Sequence, residues 1–398
     1  MKTDRREFLS AALASQAAFA GPNDRIRIAV LGCGGRARHL LGALKKITGA
    51  EVVGVADVWD SSLEQSRPFA TSGAFFTKEY REALERKDVD AVLIASPDHW
   101  HVPMTVDACA AGKDVYVEKP LTHDLSEGPR VIEAQNRYKR IVQVGTQQRS
   151  MPHIAEARQI VQSGQLGRVH KVHMTWNRNA PRGQRVVYDI DPKTVDWKRF
   201  LGSARPQPFD EYRFRNWRWF WDFGNGILTD LMVHWLDTVH WILDLDKPDT
   251  AMSMGDQFAS KGVWETPDTI QTFLHYRRQQ VQAYFEGTFI NQHNAAMTEI
   301  MGSDATLYID RGRYEIHPEP NNKKGIEYRE KILGKGRRGA DFFDQPDGEL
   351  LHLTDWLDAI RTRRAPSTPA EAGVSAAAAA HYGNMAYRTG RVVDTAAL

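Results

Sequence analysis

Only two cysteines, Cys33 and Cys109, occur in the whole chain. That excludes a disulfide framework and a cysteine-based metal cluster, and both read as small, semi-buried thiols. The histidines show no spacing that would hold a metal, so no metal site is expected. A G-x-S-x-G nucleophile elbow is missing, which argues against serine-hydrolase chemistry. No apolar run is long enough to span a bilayer as a mature segment. Neither sign of charge is in excess. Lys and Arg number 52 against 50 Asp and Glu, a net charge of +2 that offers no footprint for nucleic acid. Internal repeats are absent, and the run Ala376–Ala380 is the nearest thing to a low-complexity tract. What remains is an ordinary globular balance, 42% hydrophobic and 26% charged, over 398 residues. That length suffices for two domains and a large core.

The most informative stretch is I-R-I-A-V-L-G-C-G-G-R-A, Ile26 to Ala37. An apolar, β-branched run stops at Gly32, and a helical pattern follows. Gly32, Gly34 and Ala37 complete G-x-G-x-x-A, with Gly35 and Arg36 inside it. The first glycine allows a tight turn, the second lets a pyrophosphate approach the backbone, and Ala37 lets helix and strand pack closely. The helix N-terminus then offers N–H groups and a positive dipole end to phosphates. Asp57 ends the next apolar run, 20 positions after Ala37, where a carboxylate meets the adenosine ribose hydroxyls. A carboxylate there repels a 2′-phosphate, so NAD is expected before NADP, although Arg36 and Arg38 soften that preference.

The first twenty residues read separately. Arg5-Arg6 precede Phe8-Leu9, and a short apolar stretch ends in Ala18-Phe19-Ala20 before Gly21. These are the parts of an export signal with an A-x-A cleavage pattern, resembling the twin-arginine type that exports folded proteins. Residues 1–21 are therefore expected to be a signal, and the mature protein periplasmic or otherwise exported, without a membrane partner. Without the signal, the chain would be cytoplasmic.

From 22 to 146 short valine-rich runs alternate with helix-period segments, the signature of a doubly wound parallel sheet. Strands are predicted at 26–31, 51–56, 91–94, 115–117 and 141–144. From 147 to 349 period-2 runs dominate, which suits a mostly antiparallel sheet. An apolar helix, 226–243, interrupts them, R-R-Q-Q at 277–280 reads as a hairpin turn, and 319–349 reads as a polar surface loop. Residues 350–398 are predicted as C-terminal helices. The fold class is thus α/β: a Rossmann domain plus an α+β domain with an open sheet.

Four further motifs carry chemistry. Ser96-Pro97-Asp98-His99-Trp100-His101 follows a parallel strand, at the edge where doubly wound sheets bind ligands. Glu118-Lys119-Pro120 follows the next strand at the same edge, and its lysine can polarise a hydroxyl or carbonyl. Asp230 and His234 lie four apart on the apolar helix, with Asp237 three further on. A carboxylate beside that imidazole would orient it and raise its pKa, as an acid–base needs, while a buried core pair gives the same pattern. Tyr212 to Gly224 is dense in aromatics and arginines, including Tyr212, Trp217 and Trp219. Such density stacks on sugar rings or fills an interface.

Taken in order, G-C-G-G-R-A, Asp57, S-P-D-H-W-H, E-K-P and D-x-x-x-H resemble the glucose–fructose oxidoreductase / inositol dehydrogenase (Gfo/Idh/MocA) family over most of 22–398. The resemblance implies a catalytic Lys119, His234 as general acid–base and Asp230 as its partner at the substrate. Ser96, Pro97, His99, His101 and Glu118 would line the cofactor. Gln147 and Arg149, in G-T-Q-Q-R, would sit at the domain junction near the nicotinamide. It further implies reversible hydride transfer from a ring carbinol of a carbohydrate to NAD, and a dimer or tetramer joined through the open sheets. Export implies a retained cofactor regenerated within one cycle. A transient oxidation–elimination–reduction, as in NAD-dependent glycosidases, and a non-catalytic sugar- or NAD-binding protein are the alternatives.

Overall fold

A computed structural model describes residues 25–180, 183–322, 324–340 and 345–397. The proposed export signal lies outside the described residues.

Six parallel strands form the first sheet. They are β1 (Ile26–Leu31), β2 (Ala50–Ala56), β3 (Phe75–Thr77), β4 (Ala91–Ile94), β5 (Asp114–Val117) and β6 (Val142–Val144). Their order, β3-β2-β1-β4-β5-β6, reverses direction between β1 and β4, which opens a crevice at the carboxyl ends of those two strands. β1, β4, β5 and β6 are buried almost throughout, because helices cover both faces. The predicted elements recur within a few residues. The three-residue β3 was too short to leave a pattern in the sequence.

The second sheet has nine strands: β7 (Lys171–Asn177), β8 (Thr250–Asp256), β9 (Thr269–Tyr276), β10 (Val281–Thr288), β11 (Ala296–Met301), β12 (Ala305–Ile309), β13 (Arg313–Pro318), β14 (Arg329–Ile332) and β15 (Val393–Asp394). Among the described residues, only the β7–β10 pair of this sheet is parallel. Arg277–Gln280 forms the predicted turn between β9 and β10, with Gln280 at a left-handed φ of 56°. Burial alternates along β9 and β10, so one face packs on helices and the other stays open. The expected loop at 319–349 needs correcting. It contains β14, whose R-E-K-I pairs with β13 at the sheet edge, where charged residues are at home.

The predicted C-terminal helices form and divide between the two cores. Helix Gly348–Thr362 inserts Leu353, Trp356 and Leu357 into the Rossmann core. Helix Ala370–Thr389 places Ala376, Ala379 and Ala380 against the second-domain core, the small residues permitting close approach. Both cysteines are fully buried, more deeply than expected.

Candidate functional site

Gly32 holds φ at +81°, and a Cβ there would stand 2.6 Å from the Ser96 backbone. Any other residue would push β1 and the β4 loop apart. Gly34 and Gly35 differ, because a Cβ on either would meet nothing within 4 Å. They face a cavity of about 310 Å³ that Asp57, Ser96 and Pro97 also line. Helix Gly35–Leu44 starts there with no side-chain cap, which leaves its first N–H groups to a ligand. Asp57 accepts backbone N–H bonds from Cys33 at 2.6 Å and Trp59 at 2.9 Å, so it also staples the glycine turn. Ala37 is buried under the turn, as close helix–strand packing requires. These residues fit a dinucleotide. The two arginines that could have welcomed a 2′-phosphate are engaged: Arg38 donates to Cys33 O at 2.7 Å, and Arg36 donates to Glu118 at 2.9 Å and Glu349 at 3.2 Å.

A second cavity, about 320 Å³, adjoins the first. Arg36, Ala95, Ser96, Arg215, Trp217 and Arg218 line both. Its floor carries Glu118, Lys119, Gln147, Asp230 and His234, with His101 behind. Lys119 Nζ donates to both the side-chain and main-chain oxygens of Asp230, each at 2.8 Å. Arg218 donates to the same carboxylate at 3.1 Å. Burial would raise the Asp230 carboxyl, but Lys119, Arg218 and Arg178 hold it well below the usual carboxylate range.

The expected Asp230–His234 couple is not formed. A π turn, Leu228–Met232, precedes helix Val233–Leu243 and shifts the facing of the two residues. Asp230 goes to Lys119, and His234 Nδ1 has no hydrogen-bond partner among the described residues. Instead of being raised, the His234 pKa is pushed well down by burial and by the positive charges of Lys119, Arg311, Arg36 and Arg178. The imidazole is therefore neutral at physiological pH and can accept a proton. It leans on Trp176, ring centres 5.1 Å apart.

Three further expectations are corrected. His99 lines neither cavity. Its Nε2 lies 2.8 Å from Phe200 O, within an aromatic cluster that joins the domains. Tyr212 is buried, and its hydroxyl accepts from Trp264 Nε1 at 3.1 Å. Arg149 forms a two-pronged pair with Asp237, both bonds 2.8 Å, away from either cavity. Asp237 is fully buried, so Arg149→Ala strands its charge. A loss of about 3–5 kcal/mol is expected, read as a lower unfolding midpoint, with Arg149→Lys recovering only part because it lacks the fork. His101 does line the second cavity, but its ring is held between Ser96 O at 2.9 Å and Pro120 O at 2.6 Å, a positioning role.

Sequence reasoning missed Trp176 and Arg178 from the end of β7, Phe289 after β10, and Arg311 in the β12–β13 turn. Trp176 and Phe289 stood at the ends of two strand runs, which was the available signal. It also missed Glu349, which accepts from Arg36 and from Gln147 at 3.3 Å. Trp217 and Trp219 line the second cavity.

The two cavities across a domain junction define a two-domain dinucleotide-binding protein. Residues 26–146 match the oxidoreductase family with an NAD-binding Rossmann fold, and residues 154–308 match the GFO/IDH/MocA C-terminal domain. The chain belongs to the Gfo/Idh/MocA family, and its cofactor is NAD. It is 33% identical over 187 residues to inositol 2-dehydrogenase 4 of Saccharopolyspora erythraea, covering 45% of this chain and 54% of that one. The chain thus spans about half the length of that curated relative. Levoglucosan dehydrogenase in complex with NADH and levoglucosan shares the fold at a TM-score of 0.72 and 16% identity, covering 93% of this chain and 99% of the other. The aldose–aldose oxidoreductase of Caulobacter crescentus, complexed with glycerol, does so at 0.70 and 18%, with coverage of 93% and 99%.

Proposed function

We propose that this chain oxidises a ring hydroxyl of a sugar or sugar derivative and keeps its NAD bound between turnovers. The observation that carries the reading is the second cavity. A neutral imidazole and a lysine ammonium share it with an aromatic wall, directly beside the dinucleotide cavity. His234, neutral and with Nδ1 unpartnered, takes the hydroxyl proton. Lys119 spends two donors on Asp230 and has a third for the substrate oxygen, where negative charge develops. Asp230, held ionised, accepts a second hydroxyl and fixes the ring. Trp176, Trp217, Trp219 and Phe289 line the cavity and supply apolar contact for that ring. Bound NAD supplies the hydride acceptor. Relatives named as inositol 2-dehydrogenases and a neighbour holding NADH with levoglucosan support a cyclic polyol or sugar as substrate.

Retention is supported by how the second domain covers the dinucleotide cavity. Val195 bridges Trp59 in antiparallel fashion, Asp196 N donates to Val58 O at 2.8 Å, and Arg199 pairs with Glu79 at 3.0 Å. A twin-arginine signal at residues 1–21 accords with this, since such a route would carry a folded, loaded protein outside the cytoplasm. An oligomer joined through the open sheet is part of the same proposal. Met252, Met254 and Phe273 are about half exposed or more on that face, and Phe273 stacks on Tyr284.

The test is the absorbance spectrum of the purified protein, with no NAD added, as candidate sugars and polyols are supplied. A reduced-nicotinamide band is the expected result. Protein that purifies empty and turns over only with free NAD overturns retention. Protein that oxidises no sugar even with NAD overturns the oxidoreductase reading. Free sugar released from a glycoside alongside the band would redirect the net reaction to redox-assisted hydrolysis.

A further inference from the structure

Arg215 ends the short helix Glu211–Arg215 of the second domain and lines both cavities. Gly34 and Gly35 of the Rossmann domain line the first cavity with it. Its surroundings set it apart from its neighbours. Arg36, Arg199, Arg213 and Arg218 each hold a carboxylate. Arg215 has no carboxylate within ion-pair distance among the described residues, and instead stacks on the Trp59 ring at 5.3 Å and the Tyr188 ring at 5.5 Å. Stacking orders the guanidinium plane and leaves its N–H edges for an anion. Trp59 in turn is tied to the glycine turn through Asp57, which accepts from both Trp59 N and Cys33 N. The platform under Arg215 is therefore registered to the phosphate-binding turn.

We propose that Arg215 is a phosphate ligand of the bound dinucleotide, supplied by the second domain opposite the glycine turn. The inference rests on the dinucleotide reading of the first cavity. The turn contributes backbone N–H groups at the uncapped helix start, and Arg215 closes on the same anion from the other wall. A dinucleotide has two sources of such an anion, the pyrophosphate and, in NADP, a 2′-phosphate. Asp57 at the ribose favours the pyrophosphate. The consequence is mechanical. The second-domain segment leading to Arg215 is fastened to the Rossmann rim at its start, with Trp100 Nε1 donating to Phe200 O at 3.0 Å and Lys78 Nζ to Thr194 O at 3.1 Å. A dinucleotide gripped by Arg215 leaves only when that segment lifts.

The experiment is calorimetric titration of full-length wild type, Arg215→Ala and Arg215→Lys with NAD, NADP, ADP-ribose and adenosine, each protein first stripped of any copurified nucleotide and checked for an unchanged unfolding midpoint. Arg215→Ala is expected to weaken NAD and ADP-ribose about 10- to 100-fold, the range for a lost charge-assisted contact, and to leave adenosine unchanged. Arg215→Lys should recover part of that loss. Arg215→Gln replaces the alanine variant if the latter does not fold. A loss confined to NADP keeps the phosphate contact and moves it to the ribose. NAD and ADP-ribose binding within twofold of wild type overturns the proposal, as does a variant whose only defect is a raised KM for an acidic sugar. Wild type that binds no dinucleotide overturns the cofactor reading itself.

Discussion

Lys119→Met is expected to fold, to bind NAD as wild type does, and to turn sugar over about 10³-fold more slowly. Methionine nearly matches the stem of lysine but donates nothing, so the charge developing on the substrate oxygen loses its stabiliser. Asp230 would keep Arg218 at 3.1 Å, so the carboxylate is not left alone and the fold should survive with a cost of about 1–2 kcal/mol. Single-turnover rates with saturating sugar, alongside NAD titration, measure the two effects separately. A variant at wild-type rate would remove Lys119 from the chemistry. A protein whose biological role is only to bind sugar or NAD would keep that role in the variant.

The second large effect concerns acid. Five buried histidines have pKa values far below the usual 6.5: His99 and His240 at about 3, and His101, His153 and His381 at about 4. Burial is the main cause in each, because an imidazolium would lose its water. The unfolded chain binds protons at these sites as pH falls below 6.5, whereas the folded chain does not until about pH 4 at three of them and about pH 3 at His99 and His240. Stability is therefore present above 6.5 and lost as pH falls toward 4. Each histidine contributes on the order of 1–2 kcal/mol between pH 7 and pH 5. Asp98 works the other way, since burial pushes its carboxyl well up, and burial also raises Asp57, Glu127 and Asp310, which offsets part of the loss. The urea midpoint should fall steeply between pH 7 and pH 5, and His153→Gln, which removes the contact to Asp310 O, should make the slope shallower. A midpoint flat over that range would contradict these burials.

Much of the site is legible in the sequence. The glycine turn, Asp57, Ser96-Pro97 and Lys119 all follow directly on parallel strands, and a parallel sheet delivers the carboxyl ends of its strands to one edge. Local order in the chain was thus enough to bring them together. The readings that failed all depended on a partner distant in sequence. Asp230 was assigned to His234 by helical spacing, yet the π turn and Lys119, 111 residues away, claimed it. Arg149 was read toward the nicotinamide at the domain junction, but Asp237 held it. His99 was read toward cofactor and Tyr212 toward sugar, and each was drawn into an aromatic joint.

By itself, then, the sequence determined the dinucleotide turn, the succession of strands and helices, and the residue types available at the sheet edge, because these depend on backbone conformation and short-range periodicity. Tertiary structure decided the ionisation of His234, the sharing of Asp230 between two cations, and the covering of the cofactor cavity by the segment around Arg215. Those depend on burial and on charges brought within a few ångströms from separate segments. No local pattern encodes such distances.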